Sequence, residues 1–327
     1  MQIRKLDRQE HGKTRRLYET VFFEDTQEFV NYYYTWKTKD NTIYAAEDEA
    51  GIHAMIHLNP FDVWVDGQVQ KLHYIVAVAT EEKYRHQGLM CRLLEAVEKE
   101  MAEEGERFTF LMPASEKIYA PFGYRYFAGQ RRGILRSAAS LDKSGPLIQA
   151  AEIVVSEQYT CRPVEAAEYQ ELADFVNQVL QRQYDVFIWR DAVYYERLCA
   201  EQRCQNGEVM VVVRMDEDGI QELTGTFCTA QERADSGKDT DSSICIRELI
   251  LSPEYLQQAL GAVHEFCADY GNCKVEGSNC TGVLAQEMWK PLLMGKKPAG
   301  KLFSCKNGYE EMETHPDEAG IFINEVV

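Results

Sequence analysis

Residues 73–124 restrict most sharply what this chain can fold into. They read HYIVAVAT, EEKYRHQGLM, CRLLEAVEKEMAEEG and, after Glu106, RFTFLMPASEKIYAPFGY. Residues 75–78 are β-branched or alanine and predict a buried strand, while Leu89, Leu93, Leu94 and Val97 recur with the spacing of one helix face. A short charged loop carrying Arg85 and Gly88 joins the two. A strand that enters a helix through a glycine-bearing loop leaves unpaired N–H groups at the helix start. That geometry favours a phosphorylated ligand.

With 327 residues, 45% of them apolar, the chain has material for two cored domains. No stretch of about 18 uninterrupted apolar residues occurs, and MQIRKLDRQEHGKTRR at the start lacks the apolar core of a signal peptide. A cytoplasmic protein without a membrane partner is expected. The ten cysteines form no C-x-x-C pair and have no histidines at ligand spacing, so no metal site is expected and the thiols read as reduced. A formal charge of −18 argues against nucleic acid as a partner and suits a cationic substrate.

Taken in order, residues 3–6 predict a strand, 8–22 and 25–36 helices, and 42–46 and 51–58 strands. Residues 61–65 and 68–72 form a hairpin about Asp66-Gly67. The strand, loop and helix follow, then a strand at 108–112 stopped by Pro113, and a short helix at 115–120 with Ser115 as N-cap. A closing strand is placed at 132–136. The fold class is α/β, an α+β mixed sheet with helices on its faces. Residues 137–146 read as a linker.

A second pass then repeats the plan. It has a strand at 159–164, helices at 166–181 and 191–200, strands at 209–215 and 222–229, a polar loop around Thr240, a strand at 244–251 and a helix at 253–270. Its strand–helix step runs through Ser252-Pro253 and has no Arg-x-x-Gly. The expected domains are 1–140, 147–277 and a C-terminal segment 278–327, in which residues 284–293 read as a helix broken by Pro291 and 295–300 as a basic loop. The final GIFINEVV reads as a docked terminus.

Residues 76–105, VAVATEEKYRHQGLMCRLLEAVEKEMAEEG, resemble the acetyl-CoA-binding segment of GNAT N-acetyltransferases. The family loop, Arg/Gln-x-x-Gly-x-Gly/Ala, stands here as Arg85-His86-Gln87-Gly88-Leu89-Met90, with Met90 in place of the last small residue. The Eis-like branch tolerates a larger apolar residue there and carries a segment similar to residues 111–124. It also has tandem GNAT domains of which only the first binds acetyl-CoA. The resemblance therefore implies tandem GNAT-like domains, the second degenerate, followed here by only 50 residues instead of a sterol-carrier-like third domain.

By this resemblance acetyl-CoA is the co-substrate. Its pyrophosphate would meet the backbone N–H groups of His86, Gln87, Gly88, Leu89, Met90 and Cys91, with Arg85 supplying a cation nearby. Its pantetheine arm would pair with the strand edge at Val76, Val78, Ala79 and Thr80. Ser115 would touch the CoA moiety, Tyr119 would act as general acid toward the leaving thiolate, and the carboxylate of Val327 would take the amine proton. Glu24, Glu28 or a water chain are the other bases open to it. The implied acceptor is a cationic small-molecule amine such as an aminoglycoside or polyamine, and homo-oligomerisation is left open. An acyl-CoA-binding regulator without turnover and a protein-lysine acetyltransferase are the alternatives.

Overall fold

The structure, a computed structural model, describes residues 1–135, 154–231, 244–268, 270, 273–276, 288–296 and 321–322. The linker at 137–146, the polar loop around Thr240 and Val327 lie outside these described residues. The chain divides into two compact units. The first comprises Met1–Gly129, Asp185–Trp189 and Pro291–Val327, and the second Gln130–Tyr184 and Arg190–Lys290.

In the first unit, β1 (Gln2–Lys5) is followed by α1 (Arg15–Val21) and α2 (Gln27–Trp36), and then by β2 (Thr42–Asp48), β3 (Gly51–Val65) and β4 (Gln68–Thr80). A 3-10 stretch, Arg8–Thr14, replaces the first turns of the helix expected from residue 8. The sheet runs β1-β2-β3-β4 antiparallel. β3 was expected as two strands parted at Asn59-Pro60, but it is continuous. Pro60 is tolerated because pairing of β3 with β2 ends at Leu58 and pairing with its next neighbour on that side begins only at Val63. No ladder partner there needs the missing N–H. The hairpin turns at Asp66 (φ 50°) and Gly67 (φ 82°), the paired positive dihedrals of a type I′ turn.

Side chains alternate across this sheet. Ile43, Ala45 and Met55 pack with Leu17, Val30 and Tyr33 of α1 and α2. Ala54, Ile56, Leu58 and Ile75 pack on the other face against Leu89, Leu93, Leu94 and Val97 of α3 (Leu89–Glu103). β5 (Thr109–Leu111) is parallel to β4, and α4 (Glu116–Tyr119) and β6 (Arg125–Leu135) follow.

Two strands of this unit were not foreseen. β8 (Val186–Ile188) pairs antiparallel with the end of β3. β13 (Met288–Lys296), whose last residues 294–296 pair with β5, stands where a helix at 284–293 and a loop from 295 were expected. An extended partner edge at β5 outweighs the local apolar spacing that suggested a helix, and the fixed φ of Pro291 is compatible with an extended backbone. Lys296 is anchored by an ion pair to Glu98 of α3 at 2.7 Å. β14 (Ile321–Phe322) pairs parallel with β8.

In the second unit, β7 (Tyr159–Pro163), α5 (Tyr169–Gln181) and α6 (Ala192–Cys204) precede β9 (Val209–Met215), β10 (Gln221–Gln231) and β11 (Ile244–Leu251), then α7 (Leu256–Ala268) and β12 (Cys273–Glu276). Strand order is β7-β9-β10-β11-β12, with β11 parallel to β12 and residues 132–135 of β6 antiparallel beyond it. Phe227, Ile246, Leu249, Leu260 and Val263 are among the residues of its core.

Candidate active site

The expected ligand loop is built by a sequence of backbone reversals. β4 ends at Thr80, a 3-10 turn spans Glu82–Tyr84, and Arg85 is extended. His86 (φ 61°) and Gly88 (φ 73°) then enter the left-handed region. Gly88 is the N-cap of α3 and its hydrogen makes no side-chain cap. The N–H of Arg92 is the first to close onto the helix, at 3.1 Å from the Gly88 carbonyl. The amides of Leu89, Met90 and Cys91 are therefore the open donors of the helix start. A methyl built on Gly88 would meet nothing within 4 Å. This is an open cradle with a favourable dipole, and it fits a pyrophosphate.

Two side chains of the loop are tied to backbone carbonyls that precede it. Arg85 Nε donates to the Thr80 carbonyl at 3.2 Å, which tethers an exposed guanidinium beside the helix start. Gln87 donates to the Lys83 carbonyl at 3.2 Å. Met90, the departure from the family's small residue, is half-buried against the α3 core, so its bulk is turned inward. Cys91 donates to Glu95 at 3.2 Å, and that carboxylate pushes its thiol up, away from the reactive thiolate.

The strand before the loop carries a feature that its sequence does not announce. Ala77 has φ 49°, and between Val76 and Ala79 β4 spends one residue more than β3 does between His57 and Met55. This is a β-bulge, which bends the strand and frees backbone groups from the ladder. On the other edge β4 pairs with β5 only at Tyr74. Among the described residues no strand covers that edge from Val76 to Thr80. Amide-bearing chains can add there by strand-like pairing.

Tyr119 falls in the same apolar cluster as Leu89 and Ile75, against which Val78, Tyr84 and Met90 also pack. Its ring meets Tyr124 edge-on at 5.9 Å. Burial pushes its phenol up to about 12, so it is a proton donor throughout the neutral range. Among the described residues its hydroxyl has no hydrogen-bond partner. Ser115 is corrected in one respect: it occupies the N-cap of α4, but its exposed hydroxyl makes no capping bond.

A buried polar chain lies beside the bulge. His57, opposite Val76, is fully buried. Asn41 donates to the Tyr33 hydroxyl at 3.2 Å, and that hydroxyl lies 2.9 Å from His57 Nδ1, where either atom can be the donor. Burial first, and the neighbouring His11 second, hold His57 down at about 3. A histidine that is neutral when folded but titrates near ~6.5 when unfolded makes the unfolded chain the stronger proton binder between these values. Stability is thus retained above the unfolded value and lost as pH falls below it, with a slope approaching ~1.4 kcal/mol per pH unit. Melting temperatures of wild type and His57→Gln across that interval should show the steeper acid loss only in wild type. Parallel curves would remove His57 as the source.

Elsewhere, His73, Glu104 and Glu106 bring ligand-type atoms within 4.8 Å of one another. Glu106 already accepts the His73 backbone N–H at 2.8 Å, which pins the α3–β5 turn to β4. No residue of this group was singled out from the sequence.

In the second unit the corresponding strand, β11, is also bulged: Glu248 has φ 50° and the register with β10 slips between Thr226 and Cys228. The side chain at that bulge is a carboxylate, 3.2 Å from the guanidinium of the buried Arg190. The helix after it begins on Pro253, without a left-handed glycine.

The bulged strand, glycine-gated helix start and uncovered strand edge place an anion cradle beside an edge where an extended amide-bearing chain can pair. Residues 2–127 match the family described as "Acetyltransferase (GNAT) domain". This portion of the chain matches a GNAT acetyltransferase domain, and N-acetyl transfer is the activity that this match supports. No curated protein matches the chain. Among solved structures, a conserved protein from Enterococcus faecalis described as a probable N-acyltransferase aligns with a TM-score of 0.69 at 15% identity, over 90% of this chain and 72% of the other. A GCN5-related N-acetyltransferase from Anabaena variabilis gives 0.67 at 15% identity, over 91% and 73%. Eis1 from Mycobacterium abscessus gives 0.60 at 11% identity, over 90% and 73%. At these identities the likeness is one of fold. Among the described residues no helix is long and apolar enough to cross a membrane.

Proposed function

We propose that the protein moves the acetyl group of acetyl-CoA to the amine of a cationic small molecule of aminoglycoside or polyamine type, by direct attack. The observation that carries this reading is the pairing of the open α3 start with the protonated, otherwise unpartnered phenol of Tyr119 in one cluster. Acetyl-CoA supplies a thioester whose carbonyl carbon takes the amine and whose sulfur departs. The amides of Leu89, Met90 and Cys91, with the Arg85 guanidinium beside them, would hold the pyrophosphate. The edge of residues 76–80 would hold the pantetheine arm, and backbone N–H at the bulge near Val78 would stabilise the developing oxyanion. Tyr119 would donate a hydrogen bond, and finally its proton, to the leaving sulfur.

The cationic acceptor is argued from the net charge of −18, which raises the local concentration of cations. A cytoplasmic setting agrees with the same sequence. The repeated element order and the second bulge support tandem GNAT-like domains, and the Arg190–Glu248 pair and Pro253 support loss of the ligand loop from the second. The experiment is release of CoA thiol from acetyl-CoA against a panel of aminoglycosides, polyamines and lysine peptides. Release with the small polycations and not with the peptides is expected. CoA binding with no thiol release for any amine favours a regulatory role, and release with peptides alone favours a protein-lysine acetyltransferase.

The acceptor must lose a proton, and the terminal carboxylate of Val327 is the base this reading assigns. One glycine added after Val327 displaces the carboxylate by about 3.5 Å, and kcat should fall at unchanged CoA affinity. Full activity in the extended chain rejects the terminal carboxylate and leaves Glu24, Glu28 or a water chain.

A further inference from the structure

The ligand loop is anchored through a side chain that takes no part in the steps above. His53 lies on β3 and is 1% exposed. Its Nδ1 is 2.8 Å from Glu81 Oε2, and its Nε2 is 2.8 Å from Asp48 Oδ1. Its carbonyl accepts the Glu81 N–H at 2.8 Å. Its ring lies on that of Tyr84, with centroids 4.0 Å apart. Glu81 is the first residue after β4, and Tyr84 ends the 3-10 turn that delivers Arg85 and the left-handed residues His86 and Gly88. Asp48 closes β2, and its carboxylate also accepts the Ala50 N–H at 2.9 Å. The ring thus ties the start of the loop to the β2–β3 turn.

A neutral imidazole offers one donor and one acceptor, so it can satisfy only one of two facing carboxylates. An imidazolium donates to both. The hydrogen bond from His53 is the first cause holding both Asp48 and Glu81 below the ordinary carboxylate range. The other charges in this surround are Lys83, 3.5 Å from Glu81 Oε1, and the chain's amino terminus, which acts on Asp48. Glu47, next along β2, is taken by Arg4.

We propose that His53 is a positioning residue, its ring clamped between Asp48 and Glu81, that sets the backbone path of the pyrophosphate loop, so that CoA affinity falls when the ring's two hydrogen bonds are removed. The inference rests on the reading of residues 85–91 as the CoA pyrophosphate site. Binding at this loop depends on main-chain direction, because its donors are amides of a helix start. An entry displaced by even a fraction of an ångström spreads or closes them.

The test uses His53→Phe, which keeps a ring beside Tyr84 and removes both bonds, and His53→Gln, which keeps one donor without the charge. CoA affinity is measured by calorimetry, alongside kcat and KM and a melting curve. For His53→Phe the Kd for CoA should rise by about tenfold or more, as for loss of a charge-assisted hydrogen bond, while kcat at saturation stays within about twofold. For His53→Gln, which keeps one donor, the rise in Kd should be smaller, again at unchanged kcat. If His53→Phe does not fold, the affinity of His53→Gln decides the matter. Unchanged affinity in folded His53→Phe, or in His53→Gln where that is the variant that folds, overturns the clamp alone. Wild-type protein that binds no CoA overturns the reading of the loop, and the clamp with it.

Discussion

Tyr119→Phe should lower kcat about a hundredfold or more, the span of a positioned general acid, while leaving the Kd for CoA within about twofold. The expectation is sharp because the substitution removes so little else. The ring keeps its edge contact with Tyr124 and its place in the α3 cluster. The hydroxyl has no protein partner among the described residues, so its removal strands no buried donor or acceptor and the melting temperature should hold. A hundredfold loss corresponds to ~2.7 kcal/mol of transition-state stabilisation. Because burial holds the phenol at about 12, the wild-type pH–rate profile should show no descending limb from Tyr119 until strongly alkaline solution. A variant with wild-type turnover would take Tyr119 out of the reaction.

Gly88→Val should weaken CoA binding by at least about tenfold, since a left-handed backbone costs an L-residue ~1–2 kcal/mol and a β-branched one more. A side chain at Gly88 would meet no neighbour within 4 Å, so steric collision with the protein is not the cause. The φ of 73° is, because only that reversal turns the chain from extended Arg85 into α3 with its first amides open. Gly12 offers the control: it too has open space around it but has no positive φ, so Gly12→Ala should leave CoA binding unchanged. Tight binding by Gly88→Val would show that the loop does not use this conformation to hold its ligand.

Much of the first unit was legible from local pattern. The stripe of Leu89, Leu93, Leu94 and Val97 is a helix face, and all four are buried. Asp66-Gly67 turned the hairpin as its chemistry requires, and Arg85 to Gly88 stood between strand and helix as expected. The errors fall where a partner distant in the chain decides. Pro60 looked like a strand end, but its backbone lies between two neighbours that leave it unpaired on one side. Residues 288–296 carried an apolar spacing without direction until β5 supplied an edge. Val186–Ile188 was too short to register as a strand until β3 paired with it.

The site divides along the same line. Glycine spacing and helix periodicity are local properties, written in neighbouring residues. By themselves they pointed to one candidate ligand loop at residues 85–91, while the downstream segment that carries Tyr119 was singled out by resemblance to a family. The bulge at Ala77 has no such signature, since alanine is ordinary in a strand and the extra residue exists only relative to the count on β3. The same holds for His53, whose function as a clamp depends on Asp48 and Glu81 arriving from two different turns. Sequence alone determined where an anion could be cradled, because that needs only a glycine before a helix. Tertiary structure alone decided how the loop is held and where the strand opens, because both are differences between segments that meet only on folding.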